Sequence, residues 1–300
     1  MFIKNKNIDE FMVPTNDYIF KRIFGYVGNE KITKSLLEAI LKTNINSISL
    51  EGNTILEKDL ASDKLGILDI KVILENKIPC DIQFQVIPFD NIPKRLLFYW
   101  SKLYSKTINS GDSYNALQKS IVILIADFDF KKFENLKNIS KFHTKWQIRE
   151  ETLSQYILTD VLEIHIISLK LVEKLFKKDY NKDSKDLKSW LKFIKEPSLL
   201  EERDIENVDV KEAKKQLDEI KKSKYEQELA EYRMKEIRDK KAIENYGFNT
   251  GKEEGIRQGI DKGKKEKQIE IAKKMLKKGM PINEIIELTE LTEEEIINLK

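Results

Sequence analysis

Disulfide chemistry is excluded at once, because the 300 residues contain one cysteine, Cys80, and an intrachain bridge needs two. Histidine is almost as scarce: His143 and His165 are the whole supply, and with one cysteine at this spacing they build no zinc site. Long apolar runs are missing too. The longest, IVILIA at 121–126, is far short of the roughly 20 residues that span a bilayer. The opening MFIKNKNIDEF has no apolar signal-peptide region, so a cytoplasmic chain without a membrane partner is expected. Strong charge of one sign is absent: a net +3 permits nucleic-acid binding without arguing for it. No phosphate-cradling loop is present, since the glycine-rich GKEEGIRQGIDKG follows a helical stretch and lacks the terminal lysine–serine/threonine pair.

What is there is unevenly spread. Hydrophobic residues make up 40% of the chain and charged residues 35%. Of the 105 charged residues, 57 fall in 1–200, with a net +5, and 48 in 201–300, with a net −2. A globular domain is therefore expected over 1–200, a charged helical linker region over 201–268, and a short helical pair over 269–300.

Along the first 200 residues, PTNDYIFKRIFG at 14–25 begins a helix that Thr15, Asn16 or Asp17 can cap. EKITKSLLEAILKT at 30–43 is a second, with Ile32, Leu36, Leu37, Ile40 and Leu41 on one side. SISLEGNTIL gives a short weak strand. KRLLFYWSKLYSKTINSG is a helix ended by Gly111, KSIVILIADFDF at 119–130 is a buried central strand, and LEIHIISL at 162–169 is another strand. Helices follow at 170–178 and around Trp190. This order predicts an α/β or α+β domain with a mixed sheet.

The stretch LGILDIKVILENKIPCDIQFQV, 65–86, forms a hairpin. If Glu75-Asn76-Lys77 is its loop, paired positions sum to 152. Leu68 then faces Phe84, Ile70 faces Ile82 and Val72 faces Cys80, all on the core side, and a slip of one residue would spoil the pattern. The opposite side carries Asp69 across from Gln83, Lys71 across from Asp81, and Ile67 across from Gln85. Opposed Cβ atoms lie about 4.5–5.5 Å apart, so Asp69 and Gln83 can touch one ligand. By pattern alone such a row is a solvated sheet face.

TNDYIFKRIFG, DKLGILDIKV, CDIQFQV, KRLLFYWSKLYS, VILIADFDF and the tail IAKKMLKKGMPINEIIELTELTEEEIINL together resemble the PD-(D/E)XK nuclease-type transposases, also called recombination-promoting nucleases. The ordered set carries the resemblance, from about residue 13 to the C-terminus. It implies a restriction-endonuclease-like core with a mixed central sheet flanked by helices, DNA as the partner, and cleavage dependent on Mg²⁺ or Mn²⁺. By that resemblance Asp69 is a metal ligand and a catalytic residue, and Gln85 stands where the wider superfamily has lysine. Gln83 stands where the family has its second acid, usually glutamate. Arg95 and Lys102, with Tyr99 on the same helix, are placed to face the DNA backbone.

Gln83 departs from the pattern. Mg²⁺ favours oxygen ligands, usually one or two carboxylates. A glutamine keeps one oxygen, removes one negative charge and cannot act as a base. Impaired cleavage, or a pseudo-nuclease that only binds DNA or a partner, is the alternative implied. Asp81 lies on the same face, roughly 6–7 Å along the strand from position 83. It serves either as a further metal ligand or as a cross-strand partner of Lys71. Asp17, Glu38 and Asp63 are other acids that can approach. His165 is expected to be structural and His143 a loop residue.

In the tail, glycines at 251, 255, 259 and 263 each cost a helix about 1 kcal/mol relative to alanine, which predicts a weak helix or a linker. The last pair is either a helix-turn-helix reader of DNA or a packing hairpin. Lys273, Lys274, Lys277 and Lys278 make its first helix basic, while Glu293, Glu294 and Glu295 make the second acidic at its start. That acidity suits docking or homo-oligomerisation better than entry into a major groove.

Overall fold

The computed structural model describes residues 8–51, 69–88, 91–133, 136–175, 185–201 and 205–299. The chain divides into two compact units, Met1–Ile237 and Arg238–Lys300.

The first unit opens with α1 (Asp17–Phe24) and α2 (Glu30–Leu41). Asn16 is the cap of α1, its side chain accepting from the Tyr18 amide at 3.0 Å. β1 (Ile48–Leu50) and β2 (Asp69–Leu74) follow, then β3 (Pro79–Gln85). The turn between β2 and β3 is Glu75–Lys77, with Asn76 and Lys77 both at φ +61°. Next come α3 (Ile92–Ser105), β4 (Ser120–Ala126), β5 (His143–Arg149), β6 (Ile157–Ser168), α4 (Leu169–Leu175) and α5 (Lys185–Lys195). α6 (Val208–Ile220) and the start of α7 (Lys224–Lys277) complete the unit.

The six strands form one mixed sheet in the order β1-β2-β3-β4-β6-β5. β1, β2 and β3 are antiparallel neighbours, β3–β4 and β4–β6 are parallel, and β5 returns antiparallel to β6. With helices on both faces this is the α/β restriction-endonuclease-like arrangement. The β2–β3 register is the predicted one: Asp69 pairs with Gln83, Ile70 with Ile82, Lys71 with Asp81 and Val72 with Cys80. The expected pairings of Ile67 and Leu68 lie outside the described residues.

Apolar side chains separate onto two faces. On one, Ile70, Val72, Cys80, Ile82, Phe84, Ile121, Ile123 and Ile125 meet α1, α2, α5 and α6. Phe20 stacks on Phe84 at 4.7 Å between ring centres, and Phe24 meets Trp190 edge-on at 5.5 Å. On the other face Val122, Leu124, Ala126, Ile164 and Ile166 pack with Ile92 and Leu96 of α3.

Three elements differ from expectation. β5 was not foreseen. α3 ends at Ser105, short of Gly111. Residues 208–237, charged throughout, join the first unit's core: Val210, Ala213, Leu217, Ile220 and Ala230 are buried. Arg233, 4% exposed, is clamped to Asp17 through both carboxylate oxygens at 2.8–3.0 Å. Asn16 donates to the Ala230 carbonyl at 2.9 Å. Tyr18 and Arg22 both bond Glu226, at 2.6 and 2.9 Å.

In the second unit the glycine-bearing stretch is helical within α7. The residues there are exposed, and a Cβ added at Gly251, Gly255, Gly259 or Gly263 would touch nothing. α8 (Ile282–Thr289) and α9 (Glu293–Ile297) follow a turn at Gly279, where φ is +74°. Ala272, Ile285, Leu291 and Ile296 form their small core. Thr292 and Glu295 exchange the two bonds of a capping box, at 3.3 and 2.9 Å. Among the described residues no helix is long and apolar enough to cross a membrane.

Candidate active site on strand β3

Strand alternation sends Cys80, Ile82 and Phe84 into the large core and turns Asp81, Gln83 and Gln85 to the α3 face. All three polar residues are buried, at 5, 0 and 4% exposure, so this is not the solvated face that the pattern alone suggests. Their amides are linked in a ladder. Gln83 Nε2 donates to Asp81 Oδ2 at 2.9 Å, and Gln85 Nε2 donates to Gln83 Oε1 at 3.3 Å. Two oxygens are left over: Asp81 Oδ1 and Gln85 Oε1 are buried with no hydrogen-bond partner.

Burial pushes the Asp81 carboxyl above the ordinary carboxylate range. The hydrogen bond from Gln83 and the positive charges of Lys71 and Arg95 pull the other way without cancelling it. The Lys71 pairing exists in the register, yet it closes no ion pair, which is why Oδ1 remains open. Arg95 donates from Nη2 to the Tyr99 hydroxyl at 2.9 Å and lies 4.6 Å from that ring. It is half-buried and acts on Asp81, so it belongs to the site's surroundings. Lys102 is exposed two turns on, with its ammonium 4.6 Å from the Phe98 ring.

Asp69 is placed opposite Gln83 by the backbone register, while its side chain lies outside the described residues, as does the whole of Asp63. The other acids are committed elsewhere: Asp17 to Arg233, and Glu38 to Lys34 and the Ile45 amide. Among the described residues there is no cluster of three or more His, Cys, Asp or Glu able to hold a metal. The donor set present is oxygen only, one carboxylate and one amide carbonyl unsatisfied and buried. That chemistry fits a hard divalent cation.

A second polar cluster, which the residue pattern did not reveal, lies on the opposite face of the sheet. Glu163, 3% exposed, takes His165 Nε2, Lys119 and Lys145, each at 2.8 Å. His165 Nδ1 lies 2.8 Å from His143 Nε2. His143 therefore opens β5 and is no loop residue. Burial alone would raise the Glu163 carboxyl, but the bonds from His165, Lys119 and Lys145 hold it well below the usual range. His143 falls to about 4, through burial first and then the neighbouring His165, Lys42 and Lys145.

Residues 14–247 match the family model of the PD-(D/E)XK nuclease family transposase, and residues 265–300 match that of the C-terminal HTH domain of the Rpn/YhgA-like nuclease family. No curated protein and no solved structure matches the chain. The first match covers most of the length, so the chain belongs to the PD-(D/E)XK nuclease family transposases. The second favours the helix-turn-helix alternative for the tail over a bare packing hairpin.

Proposed function

Proceeding from that nuclease family, we propose that the protein is a divalent-metal-dependent DNA endonuclease whose site is weakened at Gln83. The observation that carries this reading is the pair of buried, unpartnered acceptor oxygens, Asp81 Oδ1 and Gln85 Oε1, beside the strand position of Asp69. Asp69 and Asp81 are the carboxylates that would hold Mg²⁺ or Mn²⁺; the Gln83 oxygen, the weakened ligand that its family position implies, already accepts from Gln85. Once bound, the ion supplies an activated water and neutralises charge developing on the phosphate. Gln85 presents its carbonyl oxygen to water or to the ion. Arg95, and more remotely Lys102, offer cations to the DNA backbone. The lysines at 273, 274, 277 and 278, all exposed, add a sequence-independent attraction for DNA in the helix-turn-helix tail. The lone buried Cys80 suits a reducing cytoplasm.

The test is cleavage of supercoiled plasmid in Mg²⁺ and in Mn²⁺. Wild type is expected to cut slowly and Asp69→Ala not at all; equal cutting by Asp69→Ala overturns the reading. Gln83 itself favours a second reading, a pseudo-nuclease that binds DNA without cutting. A silent wild type beside an active Gln83→Glu variant would establish it.

A further inference from the structure

The geometry points to Asp81 as the second carboxylate ligand of the site, with Gln83 as its positioning residue rather than a ligand that has lost its charge. This rests on the nuclease reading above and deepens it.

Asp81 is the described carboxylate of this face, and it is buried to 5% exposure with Oδ1 unpartnered. Leaving one oxygen of a buried acid unsatisfied costs more than leaving a neutral group unsatisfied, so native chains seldom do it without water, an ion or a ligand to complete the group. The second orphan on the same row, Gln85 Oε1, is also an acceptor. Both orphan oxygens are acceptors, which suit a cation; the Arg95 guanidinium and Lys71 bear on Asp81 from beside them.

Gln83 is bonded to serve Asp81. Its amide nitrogen holds Oδ2 at 2.9 Å and its own oxygen is held by Gln85 at 3.3 Å. Both polar ends are therefore engaged in orienting neighbours, and the ladder leaves Oδ1 as the free tip. A glutamate at 83 could not donate to Asp81, and two carboxylates in contact would repel. The glutamine and the aspartate thus make a matched pair, with the negative charge moved two residues back along β3. In the β2–β3 register Asp81 is the diagonal neighbour of Asp69. Such neighbours lie about 7–8 Å apart. That backbone spacing lets the two positions serve one ion.

The experiment is calorimetric titration of the full chain with Mn²⁺, without DNA, on wild type, Asp69→Ala, Asp81→Asn and Asp81→Asn/Gln83→Glu. Asp81→Asn is nearly isosteric and keeps an acceptor for Gln83; circular dichroism checks that each variant is folded. Asp81→Asn is expected to weaken Mn²⁺ binding by at least about tenfold. The double variant, which returns the carboxylate to position 83, is expected to recover most of that loss. Binding by Asp81→Asn within threefold of wild type, with Asp69→Ala abolishing it, overturns the role of Asp81 and leaves the nuclease reading standing. So does a double variant no better than Asp81→Asn alone. Absence of Mn²⁺ binding by wild type overturns both.

Discussion

Two buried carboxylates occupy opposite faces of one sheet, and their bonding states are opposite. Glu163 receives three cationic or imidazole donors at 2.8 Å. Asp81 receives one amide and keeps an empty oxygen. Burial is similar, at 3 and 5% exposure, so what differs is ion pairing. An acid in contact with cations is held below its usual range and stabilises the fold; one held only by a neutral amide is pushed above it and costs stability. Sites that must take a ligand are built the second way, at the expense of the apo fold.

The sharpest way to break the comparison is to remove Glu163. Glu163→Ala strands two lysines beside His165 and should lower the unfolding free energy by about 3 kcal/mol, read from urea denaturation. Metal binding should survive wherever the variant is folded, because the cluster faces away from β3. The same experiment on Asp81→Asn should go the other way. Removing a buried charge that lacks its partner is expected to stabilise the metal-free chain by about 1 kcal/mol, while cleavage and Mn²⁺ affinity fall. An Asp81→Asn variant less stable than wild type would mean that the acid is already satisfied.

The comparison also explains what could be read from the residues alone. The β2–β3 register was legible because a single alignment buries Ile70, Val72, Cys80, Ile82 and Phe84 on one face. The polar row was legible as a row. Its burial was not, since that depends on α3 closing over the face through Ile92 and Leu96, a packing contact that strand alternation does not encode. The ladder of amides depends on side-chain rotamers, which alternation does not encode. β5 was missed because HTKWQIR is an edge strand with few buried positions, and so lacks an apolar period. The docking of 208–237 was masked by charge: Val210, Ala213, Leu217 and Ile220 keep helical spacing, but the Asp17–Arg233 clamp joins residues 216 apart and has no local signal.

The smallest expected effect, and the finest separation of the two faces, is in acid. His143 is held to about 4 in the folded chain against an ordinary 6.5. Between those values the unfolded chain takes up a proton that the native chain refuses. Its contribution to stability is therefore full above pH 6.5 and is lost as pH falls toward 4. Asp81 runs the opposite way. Its raised carboxyl favours protonation in the fold, so lowering the pH toward its folded value relieves a cost instead of adding one. Thermal melts from pH 7 to pH 4 should show a falling midpoint in wild type and a shallower fall in His143→Gln, which cannot take the proton. Asp81→Asn should steepen the fall, because the compensating gain from the β3 face is gone. If His143→Gln melts in parallel with wild type over that range, the His143–His165 contact does not control the imidazole, and the opposition between the two faces rests on the carboxylates alone.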